Sequence, residues 1–251
     1  MLGSLAWSRT WPFVRAAAAL LTFFAIGAQL ERSLGNALAN PTPHGSHVPT
    51  VIANFLSFFT IQSNLAAAVV LAIGAIWAWT SGRDAAREPR WYATLLACVT
   101  TYMIVTGIVY NLLLRGVELP QGVTVPWSNE VLHVVIPVVL ALDLLLAPKR
   151  RALAWSSVAI VLIYPLAWIG YTVVRGPLIV APATADPWWY PYPFLDPHGP
   201  GGVASVIGYS VAIAVAIAAV ATLVVWVGHR REAADDITLG EAASVDAPSA
   251  R

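Results

Sequence analysis

The sequence has little charge. Only 11% of its 251 residues are Asp, Glu, Lys or Arg, whereas about a quarter are charged in a typical soluble domain. No charged residue lies between Arg32 and Arg83, and such a stretch is too long to form a water-facing surface. This composition excludes a cytosolic enzyme, a nucleic-acid-binding protein and a disordered chain. It indicates a membrane protein.

Cysteine is almost absent too. The single Cys98 lies in an apolar stretch, so it can form no internal disulfide, and no Cys/His spacing typical of metal ligands surrounds it. Fourteen basic and thirteen acidic residues nearly cancel, which argues against a polyanionic partner. We therefore expect membrane lipids around the protein, and no nucleic acid, metal ion or organic cofactor as a ligand.

Long apolar runs are abundant. A helix needs about 20 mostly apolar residues to cross a bilayer, and six segments meet that requirement: 13–34, 52–79, 91–114, 128–147, 153–175 and 203–228. The expected fold is an all-α polytopic membrane protein. It comprises a six-transmembrane-helix bundle over residues 1–228 and a disordered cytoplasmic tail over residues 229–251.

Basic residues are distributed unevenly among the loops. With both termini in the cytoplasm, the inner side carries eleven Lys and Arg residues, and the outer side carries only Arg32, Arg115 and Arg175. This bias predicts cytoplasmic amino and carboxyl termini. The first segment, followed by Ala37-Leu38-Ala39, also resembles a cleaved signal peptide. Because Glu31 and Arg32 are misplaced for such a signal, a retained helix is favoured.

Polar side chains inside the spans gather at one level. At 1.5 Å per residue, Thr60 lies roughly 10 Å and His133 roughly 8 Å below the outer surface. Tyr110 and Tyr171 lie at roughly 6–8 Å on the same scale. Polar groups in a membrane span usually face the bundle interior or a wet cavity. Because four helices place polar groups at this one depth, we expect them to share a pocket that opens outward.

Spacing along the helices supports this pocket. Thr60 and Asn64 are four residues apart and share a helix face, and Glu130 lies one turn from His133. The inner half shows no comparable group of polar side chains. There, Asp143 is most simply interpreted as an interfacial partner of the basic run 149–151.

The segment Trp188–Asp196 combines five aromatic residues with two prolines. Such a segment is either a belt of aromatic side chains in the lipid headgroup layer or a stiff lid over the outer pocket.

A hydroxyl beside an imidazole and several hydrogen-bond donors is typical of nucleophilic acyl transfer. In that interpretation Thr60 attacks a carbonyl, His133 takes its proton, and Glu130 orients the imidazole. The remaining candidates for binding the oxyanion or the substrate are Asn64, Tyr110, Asn111, Arg115, Tyr171 and Arg175.

The residues alone are also compatible with functions other than hydrolysis. The same polar groups would suit a transporter or a receptor for a small amphipathic molecule, or helix contacts in a non-catalytic component of a membrane complex. A lone membrane Thr often bonds its own backbone carbonyl. No clear inverted repeat is present, which makes a transporter less favoured.

Two short motifs carry a family resemblance: Phe58-Phe59-Thr60 in the second span and His133-Val134-Val135-Ile136-Pro137 in the fourth. With six helices and both ends inside, they resemble the androgen-induced protein family of six-helix membrane threonine hydrolases. The resemblance covers about residues 13–228 and implies cleavage of fatty acid esters of hydroxy fatty acids, or of similar lipid esters. It implies Thr60 as nucleophile and His133 as base.

Further segments resemble a bacterial six-helix branch of that family. They are Ala53-Asn54-Phe55 through Asn64, Thr106-Gly107 through Arg115, and the run 190–196. This second resemblance implies a bacterial plasma membrane as the location.

Overall fold

In the computed structural model, residues 2–39, 47–117 and 124–245 are described, with side chains for 7–39, 47–117 and 124–234. No β-strand occurs among these residues. The α-helices are α1 Leu2–Ala39, α2 Val48–Ser57, α3 Phe59–Trp79, α4 Arg90–Val109, α5 Pro126–Glu130, α6 Ile136–Leu146, α7 Ser157–Arg175 and α8 Gly202–Val245. A π-helical turn, Tyr110–Leu114, extends α4, and a second, Val131–Val135, joins α5 to α6.

Six stretches within these helices are long and apolar enough to cross a membrane. They are Trp7–Ala39, Phe59–Trp79, Arg90–Leu114, Pro126–Leu146, Ser157–Leu178 and Gly202–Ala234. The predicted all-α, six-span fold is confirmed, and the chain is an integral membrane protein of the polytopic α-helical class. The cytoplasmic location of the termini stays a prediction.

Helix boundaries differ from the predicted ones in two places. The second span, predicted as one helix over 52–79, is divided at Phe58 into α2 and α3. The last helix continues through residues 229–245, for which the sequence favours disorder. That stretch is polar but rich in Ala, Glu and Arg, which are strong helix formers. Residues 246–251 of the predicted tail lie outside the described residues.

The core of the bundle lies around α3 and α4, whose apolar windows are the most buried of the six. Leu71, Leu96, Met103, Ile136 and Leu140 are fully buried there. At one end of the bundle, the Trp7 indole near the start of α1 donates to the Leu146 carbonyl at the end of α6. We call this the terminal end and the other the opposite end.

Near the terminal end, charged side chains are buried inside the bundle. The Arg15 guanidinium of α1 donates to both Asp143 carboxylate oxygens, at 2.7 and 3.1 Å, and to Glu88 Oε1 at 2.9 Å. Trp11 Nε1 adds a hydrogen bond of 2.6 Å to Asp143 Oδ1. Arg15, Glu88 and Asp143 are each at most 3% exposed. We call these three residues the charge cluster.

The charge cluster corrects two sequence predictions. Asp143 is held chiefly by Arg15, and of the basic run only Arg150 reaches it, at 3.5 Å. Lys149 instead donates to backbone carbonyls of the loop between α3 and α4. The expectation that the half of the bundle near the termini has no comparable group of polar side chains is also wrong. Arg15 lies about 12 Å along α1 from Trp7, the first residue of its span.

Burial and the neighbouring charges shift the pKa of Glu88, the third member of the charge cluster, in opposite directions. Burial raises the pKa of the Glu88 carboxyl, while the positive charges of Arg150 and Arg15 lower it. Glu88 Oε2 is buried and has no hydrogen-bond partner in the part of the chain that the structure describes. The side chain is therefore held through Oε1 and Arg15 alone.

Replacing Asp143→Asn removes the charge that compensates Arg15 in a buried environment. Loss of one member of a buried ion pair costs about 3–5 kcal/mol, so we expect the free energy of unfolding to fall by about that amount. The measurement is equilibrium unfolding in detergent micelles. Asp84→Asn, at an exposed position in the loop after α3, is the matched control. Equal stability of the two variants would contradict the assignment.

Candidate active site

A cavity of about 940 Å³ opens at the opposite end of the bundle. The last turns of α1, the middle and second half of α2, the start of α3 and both π-helical turns contribute to its walls. Four predicted site residues line it: Thr60, Tyr110, Arg115 and His133. The other five predicted residues lie outside this lining: Asn64, Asn111, Glu130, Tyr171 and Arg175.

Thr60 lies in the first turn of α3. Phe58 adopts an extended conformation, with φ −66° and ψ 129°, which ends α2 and lets α3 begin at Phe59. The Phe58 ring packs edge-on against Trp189 and Tyr192. The Thr60 side chain therefore projects from a helix N-terminus rather than from mid-helix, as a continuous second span would have placed it.

The hydroxyl group of Tyr192 holds Thr60 in place. It accepts a hydrogen bond from the Thr60 N–H at 3.1 Å and lies 3.1 Å from Thr60 Oγ1, with which it shares a second hydrogen bond. Burial raises the pKa of Tyr192, so its phenol stays protonated and able to donate. Tyr192 was not among the predicted site residues, although its Tyr-Pro-Tyr-Pro context marked the loop as unusual.

The helix start supplies further donors near Thr60. The first intrahelical hydrogen bond of α3 runs from Gln62 N–H to the Phe58 carbonyl at 3.1 Å, which leaves the Ile61 N–H outside the helix ladder. Ile61 also lines the cavity. The N-terminal end of a 21-residue helix carries a partial positive charge. This environment favours a negatively charged oxygen close to Thr60.

His133 is oriented by a backbone carbonyl. Its Nδ1 lies 2.9 Å from the Asn129 carbonyl oxygen, which can only accept, so Nδ1 carries the proton. In a neutral imidazole the other nitrogen, Nε2, then has a free lone pair. The ring stacks on Tyr110, with centroids 3.8 Å apart. The side chain of Asn129 donates to the Tyr110 hydroxyl, so one residue positions both rings.

Pro137 explains the unusual backbone around His133. Proline has no N–H to donate to the carbonyl four residues earlier, and its ring crowds that carbonyl. Here that residue is His133, and the backbone forms the π-helical turn Val131–Val135 instead of a regular α-turn. Such turns are frequent at functional sites.

Thr60 and His133 face one cavity without touching each other. The hydrogen bonds of the Thr60 hydroxyl and of the His133 ring in the described residues go to Tyr192 and Asn129, respectively. A substrate group or a water molecule in the cavity is needed to connect the two side chains. The two side chains thus line different parts of one cavity.

Glu130 does not orient the imidazole, so that prediction is wrong. Both its carboxylate oxygens accept hydrogen bonds from Arg115, at 2.8 and 3.0 Å. Arg115 Nε also donates to Asn111 Oδ1 at 2.8 Å. The hydrogen bond with Glu130 raises the pKa of Arg115. Arg115 thus lines the cavity as one half of an ion pair rather than as a free cation.

Asn64 supports the site from behind. Its side-chain nitrogen donates to the Thr60 carbonyl at 2.9 Å and to the Leu132 carbonyl at 3.1 Å. The side chain is fully buried and outside the cavity lining. It therefore joins the start of α3 to the π-helical turn of His133, and it cannot bind an oxyanion in the cavity.

Tyr171 and Arg175, both on α7, bind the short helix α2. The Tyr171 hydroxyl shares a 2.8 Å hydrogen bond with Ser57 Oγ, and Arg175 donates to Asn54 Oδ1 at 2.7 Å. The guanidinium also lies over the Trp189 ring, 5.3 Å from its centroid. Their role in the structure is to hold α2 and the aromatic segment 188–196.

The aromatic segment 188–196 packs onto the bundle as a wall of the cavity. Trp189, Tyr192 and Leu195 are buried, and Trp189 N–H donates to the Gly176 carbonyl at 3.0 Å. A Cβ on Gly176 would overlap the ring of Tyr190, so glycine allows this close approach. The buried positions favour the lid interpretation over an aromatic belt in the headgroup layer.

Arg32 is a cation at the cavity that the sequence assigned to topology alone. It lines the cavity, is exposed, and has no hydrogen-bond or ion-pair partner in the described part of the chain. By contrast, Arg115 is paired with Glu130, and Arg175 with Asn54. Among Arg32, Arg115 and Arg175, Arg32 alone presents an unengaged guanidinium to the cavity within the described residues.

Comparisons with known proteins add no further assignment: no family model, no curated protein and no solved structure matches this chain. The resemblance to membrane threonine hydrolases stays a prediction. Within the described residues, no group of three or more His, Cys, Asp or Glu side chains is placed to hold a metal ion.

Replacing Tyr192→Phe removes the acceptor of the Thr60 N–H without removing the ring. An unmade hydrogen bond at a buried backbone group costs about 1–3 kcal/mol, and we expect that loss in equilibrium unfolding in detergent. Tyr209→Phe is the control, because Tyr209 is exposed on α8 and its hydroxyl has no hydrogen bond within the described residues, while its ring packs on Phe194. Similar losses in both variants would contradict the role of Tyr192.

Proposed function

We propose that this protein is an intramembrane threonine hydrolase of lipid esters. One observation carries the proposal: Thr60 at a helix N-terminus and His133 with a free Nε2 open onto the same cavity. A volume of about 940 Å³ is ample for an amphipathic ester. The expected substrates are fatty acid esters of hydroxy fatty acids or similar lipid esters.

The reaction proceeds in two balanced steps. His133 Nε2 takes the Thr60 hydroxyl proton through a water molecule in the cavity as Oγ1 attacks the ester carbonyl, and then gives a proton to the departing alcohol. Water next attacks the acyl-threonine, again with His133 as base, and releases the carboxylic acid. The oxygen of each tetrahedral intermediate develops negative charge close to Thr60.

Groups at the start of α3 are the best-placed donors for this oxygen. The Ile61 N–H is outside the helix ladder, and the Tyr192 hydroxyl already reaches Thr60. Preorganised donors of this kind contribute about 10²–10³ in rate each. Of the side chains expected from the sequence to serve as donors, Asn64 and Asn111 instead donate to backbone carbonyls.

The charge cluster favours an enzyme over a transporter. Its three side chains fill the interior near the terminal end and bind one another there. Passage of a molecule through the bundle would have to break these buried contacts. We further propose that the terminal end is cytoplasmic, in a bacterial plasma membrane, so that the cavity faces outward.

The position of Arg32 at the cavity favours a substrate that carries an anionic head group. A guanidinium without a partner at a cavity wall suits a carboxylate or a phosphate, because two parallel N–H groups match two oxygens. This places the charged part of the alcohol half near the end of α1.

Thr60→Ala and His133→Ala remove the nucleophile and the base. We expect kcat for esters of hydroxy fatty acids to fall by about 10⁴-fold or more in each variant, and we expect Thr60→Ser to retain part of the activity. The measurement is ester turnover by the purified full-length protein in lipid nanodiscs.

Two variants control for altered packing. Thr94→Ala removes a hydroxyl that bonds its own helix carbonyl on the exposed face of α4, and His229→Ala removes a ring that stacks on Trp155. Neither should change turnover. Full ester turnover by the Thr60→Ala variant would contradict the mechanism.

Replacing Arg32→Ala tests the anionic head group. We expect KM to rise about tenfold for esters with a carboxylate in the alcohol half, which corresponds to about 1.4 kcal/mol, and to change little for their methylated analogues. Arg32→Lys should restore part of the affinity. Arg83→Ala, an exposed arginine in the loop after α3, is the charge-matched control.

A further inference from the structure

A second, smaller pocket meets the large cavity at Thr60. It lies between α4, α7 and α8 and has a volume of about 50 Å³. Thr60, Tyr110, Leu114 and Tyr192 line both spaces, so they form the shared wall. An ester whose carbonyl lies at Thr60 therefore has one half in each space.

The walls of the small pocket are apolar. Side chains such as Val105, Trp168, Ile169, Ile213 and Ile217 form most of its lining. The large cavity instead exposes arginine, aspartate and amide side chains near its opening. Apolar groups are favoured in the first environment, and polar groups in the second.

The position of His133 decides which half of the ester goes where. His133 lines the large cavity and is not part of the small pocket. It has to protonate the departing alcohol oxygen, so the alcohol half lies on its side of Thr60. The acyl half remains bonded to Thr60 Oγ1 until water arrives, and the apolar lining of the small pocket suits its hydrocarbon chain.

Size then limits the acyl half. A site for one water-sized group needs about 10–15 Å³ of such volume, so about four groups of that size fit in the small pocket. We propose that the pocket between α4, α7 and α8 is the acyl subsite. Among the lipid esters of the proposed function, the enzyme then prefers esters of hydroxy fatty acids, or of similar amphipathic alcohols, whose acyl group is short, about four carbons, over those with a long fatty acyl group. This inference rests on the proposed hydrolase function.

Two residues of α8 set the depth of this subsite. Ser210 lines the pocket, and its buried hydroxyl has no hydrogen-bond partner in the described residues. A larger apolar side chain there fills the pocket and leaves no polar group unpaired. Ile213 lines the same pocket and is only partly buried, so its truncation enlarges the subsite.

The experiment uses fluorogenic esters of one alcohol with acyl chains from two to twelve carbons. Purified full-length protein in nanodiscs should show a maximum of kcat/KM near four carbons and a fall of about tenfold or more for the longest chains. Ser210→Leu should confine activity to acetyl esters, and Ile213→Ala should move the maximum to longer chains. Ala212→Leu adds the same bulk on the exposed face of α8 and should leave the profile unchanged.

The possible outcomes separate the two proposals. Thr60-dependent cleavage with a maximum at long acyl chains, or equal shifts in Ser210→Leu and Ala212→Leu, would overturn the acyl subsite and leave the hydrolase function standing. If no ester is cleaved in a Thr60-dependent way, the hydrolase function fails and the acyl subsite fails with it. Thermal unfolding of each variant identifies misfolding, and Ile213→Ala provides a second test if Ser210→Leu does not fold.

Discussion

Backbone N–H groups in a bilayer have no water to bind, and each unpaired one costs several kcal/mol. This constraint governs the break at Phe58, which frees the first N–H groups of α3 inside the second span. The Tyr192 hydroxyl, 132 residues further along the chain, accepts one of them. The same hydroxyl reaches Thr60 Oγ1. One phenol thus both satisfies the backbone and positions the proposed nucleophile, and the segment 188–196 is an integral part of the bundle.

Hydropathy located all six spans because each apolar run is long enough to cross a bilayer and is bounded by polar residues. It could not locate the break at Phe58, since no proline or glycine marks it and the aromatic rings that pack on Phe58 come from a distant loop. The buried contacts of Arg15 could not be predicted for a related reason, since its partners Asp143 and Glu88 are 128 and 73 residues away in sequence.

That Thr60 and His133 face one cavity could be predicted from the sequence, because the two side chains fall at one depth along their spans. The partners of those residues could not. The His133 ring is oriented by the Asn129 carbonyl, a backbone group that any residue carries and that no residue type reveals. Glu130 had the right spacing to reach His133, but Arg115 offers it two charge-assisted hydrogen bonds, and such bonds prevail over one to a neutral ring.

The charge cluster also constrains how the protein assembles. Arg15 and Asp143 are 128 residues apart, and Glu88 lies between them in sequence. During synthesis α1 is complete long before α6 exists, so Arg15 has no Asp143 carboxylate to bind at that stage, and an unpaired arginine within an apolar span opposes insertion. The order of synthesis and the order of stable insertion are therefore different. The first helix to be translated reaches its final depth only after the loop of Glu88 and the helix of Asp143 have arrived.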